Sequence, residues 1–131
     1  MIPSRSDVRI QRSNRRRMAN TYTSLLYHVV FSTKNRERWI NQNVEERIWA
    51  YLGGTARIHE MVAYQVGGVE DHVHMVLGMQ SSLNVSKAVQ LLKGASSKWL
   101  KETFPERHGF AWQDGYGAFT VSKSQLQTAI R

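Results

Sequence analysis

Residues 61–77 read MVAYQVGGVEDHVHMVL, two short runs of apolar and β-branched residues on either side of Gly67-Gly68. Runs of this kind, 61–66 and 72–77, predict strands, and the glycines between them predict a hairpin with a bulged or extended turn. The second run alternates. Successive side chains of a strand point to opposite faces, so Val73, Met75 and Leu77 share one face and His72 and His74 the other. The apolar set needs a layer to pack on, which leaves two imidazoles side by side on an open face.

Working outward, residues 22–32, YTSLLYHVVFS, predict another strand, and Lys34-Asn35-Arg36-Glu37-Arg38 a polar loop. A helix is expected from Asn43, a capping residue with Glu46 three positions on, and Val44, Ile48, Leu52 and Ala56 recur every four residues along it. Gly53-Gly54 weakens its second half by about 1 kcal/mol per glycine relative to alanine. A second helix is expected over about 84–103, capped by Asn84, with Val85, Ala88, Val89, Leu92, Ala95, Trp99 and Leu100 as its apolar stripe and Pro105 beyond its end. Residues 110–112 and 116–122 predict short strands around Asp114-Gly115, and the spacing of Leu126 and Ile130 predicts a helix starting at Ser122. The order β-α-β-β-α-β is that of an α+β, ferredoxin-like (RRM-like) sandwich: an antiparallel sheet with both helices on one face.

Composition narrows the function classes. A chain of 131 residues supports one domain and one core. With 41% hydrophobic residues it is not disordered throughout, and it has no apolar run long enough to span a membrane. Without cysteine, disulfides, thiolate nucleophiles and zinc–sulfur sites are excluded. The net charge of +8 suggests a polyanionic partner, but its distribution is uneven: residues 1–17 hold six arginines and one aspartate. That segment lacks hydrophobic periodicity and is expected to be a disordered basic arm, outside a domain spanning 18–131.

The histidine pair is the feature with chemical content. Two strand histidines are either ordinary half-exposed residues or two ligands of one metal ion, which then needs further donors from side chains, water or phosphate. His28 lies on the first strand as a possible neighbour. Ser96-Ser97 lacks a nucleophile elbow, Gly67-Gly68 is no phosphate loop, and Trp112 is either core or a stacking surface for a base.

Four segments in order resemble a known family: 18–34 MANTYTSLLYHVVFSTK, 68–77 GVEDHVHMVL, 92–98 LKGASSK and 112–122 WQDGYGAFTVS. They are similar to the small HUH transposases, the single-tyrosine enzymes of the IS-two-hundred-like insertion sequences and of the related repetitive-palindrome-associated group. The resemblance implies a ferredoxin-like fold and metal-dependent cleavage and joining of single-stranded DNA, often at hairpins. It makes His72 and His74 ligands of a divalent ion, magnesium or manganese. It also implies a tyrosine on the last helix that forms a 5′-phosphotyrosine, with a glutamine one turn later completing the metal site.

None of the five tyrosines fills that position, so the nucleophile is expected just beyond Arg131 and the chain reads as a transposase cut short of its catalytic helix, inactive in this form. Lys34, Arg36, Arg38, Lys93 and Lys98 are the residues expected to touch DNA phosphates, and a homodimer is a further implication. The expected setting is the bacterial cytoplasm, at the nucleoid when bound to DNA, with no membrane association. Two readings compete: a non-catalytic single-stranded nucleic-acid-binding module on the same fold, and a small metal-dependent nuclease using activated water.

Overall fold

Alternation along three strands builds a two-faced sheet. In the computed structural model, which describes residues 25–80, 82–122 and 124–125, strands β1 (Leu26–Ser32), β2 (Val62–Val69), β3 (His72–Gly78) and β4 (Gly117–Thr120) form one antiparallel sheet in the order β2-β3-β1-β4. Helix α1 (Glu45–Ile58) connects β1 to β2, and helix α2 (Val85–Thr103) connects β3 to β4. Each crossover leaves room for one strand between its ends, and β3 and β1 fill the two gaps. This is the ferredoxin-like α+β sandwich expected from the sequence.

The core lies between the sheet and the two helices. Val29 and Phe31 of β1, Val66 of β2 and Val73, Met75 and Leu77 of β3 bury against Ile48, Leu52 and Ala56 of α1 and Ala88, Val89, Leu92 and Leu100 of α2. The four-residue repeat along α1 and the apolar stripe along α2 are therefore its helix-side half. Asn84 caps α2 as anticipated, its side-chain oxygen accepting from the Lys87 N–H at 2.7 Å. After β4, Ser122 and Gln125 form a capping box: the Gln125 N–H donates to Ser122 Oγ at 3.2 Å, and the Ser122 N–H to Gln125 Oε1 at 3.0 Å. The rest of the helix expected from Ser122, Leu126 and Ile130 included, lies outside the described residues.

Three local expectations are corrected. Asn43 does not cap α1; Val44 occupies the cap position without a side-chain bond, because its side chain is drawn into the core. Asn41 organises the entry instead, its side-chain oxygen accepting from the Asn43 N–H and its carbonyl from the Val44 and Glu45 N–H groups. The hairpin turn is also not at Gly67-Gly68. Both glycines lie inside β2, and the chain reverses at Glu70-Asp71 between the paired Val69 and His72. The bulge lies earlier, where the register shifts between Ala63 and Gln65. Finally, 110–112 is not a strand: Trp112 makes only an isolated bridge with Thr33. Its indole is buried, edge-on to Phe31 and Phe110, and donates to Ser96 Oγ at 3.0 Å, so Trp112 belongs to the core and offers no surface to a base. The arm expected at 1–17 and the segment expected beyond Arg131 lie outside the described residues.

Gly68 explains why a glycine interrupts β2. Its φ of +153° is one that side-chain-bearing residues rarely adopt, and a Cβ there would stand 2.2 Å from the His72 carbonyl oxygen. Gly54 on α1 has no such constraint, since its added Cβ would meet only the Arg57 side chain at 3.8 Å. Urea denaturation is expected to show Gly68→Ala losing at least about 2 kcal/mol and Gly54→Ala gaining about 0.5–1 kcal/mol. Equal effects at the two positions would contradict this account of the hairpin.

Candidate metal and DNA site

The sheet register arranges the face away from the helices in rows. One row runs Phe119, His28, Val76, Gln65 across β4, β1, β3 and β2; the next runs Gly117, Val30, His74, Gly67; the third runs Ser32, His72, Val69 across β1, β3 and β2. Both outer positions of the middle row are glycine, so His74 stands in a trough with no side chain on either outer strand. A Cβ on Gly67 would already touch the ring, at 3.4 Å from Cε1 and 3.6 Å from Nε2.

The two histidines are prepared differently. His72 Nδ1 lies 2.9 Å from Asp71 Oδ1, and Asp71 Oδ2 accepts from Arg36 Nε at 3.1 Å. The hydrogen bond from His72, then that from Arg36, holds the Asp71 carboxyl below its ordinary value. With the proton of a neutral His72 on Nδ1, the lone pair sits on Nε2, the arrangement of a histidine oriented by a carboxylate for metal binding. His74 is half-buried beside His28, their rings edge to face with centroids 5.7 Å apart. Burial first, and then electrostatic interaction with the neighbouring imidazoles of His28 and His72, push its pKa below 6.5, which favours the uncharged form at neutral pH. Among the described residues no group of three or more His, Cys, Asp or Glu side chains converges on one point. The pair thus offers two nitrogens, and other ligand positions fall to water or phosphate oxygens. His28 is close to His74 but does not complete a cage; its Nε2, like Gln65 Oε1 in the same row, is buried without a hydrogen-bond partner among the described residues.

Arg36 reaches Asp71 because its loop is folded tightly. Asn35 and Arg36 take left-handed backbone angles, φ +58° and +56°, at the turn Lys34–Arg36. Buried Thr33 ties this turn to the hairpin: its N–H donates to the Asp71 carbonyl at 2.9 Å and its hydroxyl to the Glu37 carbonyl at 2.6 Å. The Asn35 N–H donates to Gln113 Oε1 at 3.0 Å. Two non-glycine residues in a sparsely populated conformation, held by three segments, are a local strain located at the site.

Of the residues expected to touch DNA, Lys34, Arg36 and Arg38 lie exposed in this loop, at the His72 end of the face. Lys98 is exposed on α2, in the layer on the other side of the sheet. Lys93 turns inward: its ammonium donates to the Gln113 and Gly115 carbonyls at 2.6 Å each and lies 5.8 Å from the centre of the Phe31 ring. Burial lowers its pKa, opposed by the negative charge of Asp114. From sequence alone Gly67 reads as a turn residue, and Asp71, Gly117 and Gln65 carry no role. Asp71 was detectable as the carboxylate adjoining the first histidine; the other three act through a register that only the pairing reveals.

The free face of the ferredoxin-like sheet thus carries a histidine pair, one member of it bonded to a carboxylate, with a basic loop at one end. The chain matches the IS200-like transposase family over residues 21–131, and it belongs to that family. The transposases for insertion sequence element IS200 from Salmonella typhimurium and Salmonella typhi are each 28% identical to it over 112 residues, covering 82% of this chain and 74% of theirs. Among solved structures, a candidate transposase from Deinococcus radiodurans R1 is similar at 27% identity with a TM-score of 0.73, covering 85% of this chain and 92% of that one. A REP-associated tyrosine transposase bound to a REP hairpin shares the fold, with 10% identity and a TM-score of 0.56 over 83% of this chain and 64% of its own. No helix among the described residues is long and apolar enough to cross a membrane.

The Asp71 linkage has a definite sign. Because its folded pKa lies below the ordinary 3.8, its stabilisation is fully present above that value and is lost as pH falls through the lower folded pKa. Asp71→Asn is therefore expected to be less stable than the parent at pH 7 and to converge with it near the acid end of the transition. A stability gap that stays constant from pH 7 down to pH 2 in urea melts would contradict the Arg36–Asp71–His72 linkage.

Proposed function

We propose that this chain is the DNA-binding and phosphate-orienting body of a transposase that cuts and joins single DNA strands, with magnesium or manganese held by His72 Nε2 and His74. The observation that carries the reading is the preparation of the pair: Asp71 occupies Nδ1 of His72, and burial keeps His74 uncharged. The bond to Asp71 leaves His72 Nε2 as the nitrogen offered to an ion, and the lowered pKa of His74 favours the uncharged form that metal binding requires. The bound ion supplies charge neutralisation and Lewis acidity at a phosphate. The protein's own groups do the rest. The glycine trough admits a backbone beside His74, and Lys34, Arg36 and Arg38 hold neighbouring phosphates and fix the direction of the strand. The reciprocal bonds of Ser122 and Gln125 follow directly after β4, where the resemblance puts the start of the tyrosine-bearing helix. The hairpin bound by the REP-associated relative makes hairpin DNA with a single-stranded flank the natural substrate to test.

The non-catalytic reading has one observation in its favour. Phe119, 64% exposed, stands on the same face in the row of His28 and offers a stacking surface that needs no metal. Metal dependence separates the two.

Calorimetric titration with Mn²⁺ in the presence of a hairpin oligonucleotide is expected to give one site per chain. That site is lost in the His72→Ala/His74→Ala variant and weakened at least about tenfold in Gly67→Val, whose branched side chain displaces the His74 ring, but little changed in Gly67→Ala. Identical titrations for the parent and the double variant, with DNA affinity indifferent to the metal, would replace the transposase reading by the binding-module one.

A further inference from the structure

Thr33 pairs with Trp112, and Val30 pairs with Gly117. Between these two points β1 advances three residues while the opposite chain advances five, so two residues too many are expelled from the sheet edge. The result is an arch, Asp114-Gly115-Tyr116, whose turn uses a left-handed Gly115 (φ +89°). The arch is braced. The Gln113 N–H is bonded to the Ser32 carbonyl at 2.8 Å, and the Lys93 ammonium holds the Gln113 and Gly115 carbonyls from the helix side. Between the arch and the sheet lies a cleft of about 420 Å³, bordered by Arg36, His72, Asp114, Tyr116 and Gly117. Bulges of this kind re-aim side chains beside functional sites.

From this geometry we infer that the cleft is a slot for one nucleotide adjoining the scissile phosphate, and that it selects guanine. The inference rests on the phosphate-orienting role proposed above, because His72 forms part of the cleft wall and any strand crossing it continues to the histidine pair. Each bordering group matches one part of a nucleotide. Arg36 spends only its Nε on Asp71, so its two terminal amino groups are available to a phosphate. Tyr116, 43% exposed, presents a phenol ring on which a base stacks. The Asp114 carboxylate repels phosphate and accepts hydrogen bonds only, so it faces a base edge rich in donors. Guanine, with N1–H and N2–H₂ side by side, fits the two carboxylate oxygens as a parallel pair. Lys93 is then a positioning residue, setting the arch in place without touching DNA.

Fluorescence anisotropy of labelled twelve-nucleotide DNAs with the full chain in EDTA tests the slot without calling on the metal. Oligothymidine carrying one central dG is expected to bind at least fivefold more tightly than oligothymidine alone, and replacing that dG by deoxyinosine, which lacks the N2 amine, removes most of the gain. Asp114→Ala erases the preference, so that the dG-containing and plain oligonucleotides bind equally, and Tyr116→Ala weakens both oligonucleotides. Asp114 is exposed, and fluorescence of buried Trp112 reports that the variant is folded. Equal affinity for the dG-containing and plain oligonucleotides, or a preference that survives Asp114→Ala, overturns the slot. A guanine preference without Mn²⁺ binding leaves the slot standing and removes only the metal reading; Mn²⁺ binding without a preference does the reverse.

Discussion

The position of β3 between β1 and β2 is the constraint from which the rest of this molecule follows. A central strand pairs on both edges and cannot slip by one residue without turning its whole apolar set out of the core. Val73, Met75 and Leu77 are wholly buried against the two helices, and they bind β3 to one register. The alternation of the strand then leaves His72 and His74 no choice of face. The free energy that holds the fold together is also what aims the two imidazoles, so no loop is needed to position them and the pair inherits the rigidity of the core.

Around that rigid pair the chain adds a more strained and more polar layer. The left-handed turn at Asn35-Arg36, the hairpin reversal at Glu70-Asp71 and the arch at 114–116 come from three distant parts of the sequence and meet at one end of the sheet. Thr33, Gln113 and Lys93 are the fasteners. All three spend their hydrogen bonds on backbone groups, which makes them supports for this end of the sheet. Lys93 shows how little a formal charge says about its use. It is one of the chain's 18 basic residues, yet its ammonium is committed to two carbonyls and partly withdrawn from water. The exposed cations nearest the histidine pair are instead those of the loop 34–38: Lys34, Arg36 and Arg38.

Most of the fold was legible because its signals are periodic. The alternation in β3, the four-residue repeat of α1 and the Asn84 cap of α2 each announce an element whose packing agrees with its pattern. The misjudged features share a cause: local chemistry gave way to tertiary demand. Asn43 is a good capping residue, but the burial of Val44 sets where α1 begins. Gly67-Gly68 looks like a turn, but one glycine makes room for the His74 ring and the other lets the His72 carbonyl approach. Trp112 sits in a loop-like stretch, yet Phe31, Phe110 and Ser96 enclose it. Of the site, the pair itself could be read from its spacing; the shared trough, the row that brings His28 and Gln65 together and the cleft at the arch arise from cross-strand register, which one sequence does not display.

The central claim is that one divalent ion takes two imidazole nitrogens from a single strand, with Asp71 setting which nitrogen of His72 is offered. Electron spin-echo modulation of Mn²⁺ bound to the chain and hairpin DNA reads this directly, because each coordinated imidazole contributes a nitrogen coupling. The account predicts couplings from two histidine nitrogens in the parent, one in His74→Ala, and a weakened His72 contribution in Asp71→Asn. A spectrum with no histidine nitrogen coupling, or one unchanged by His74→Ala, would contradict it.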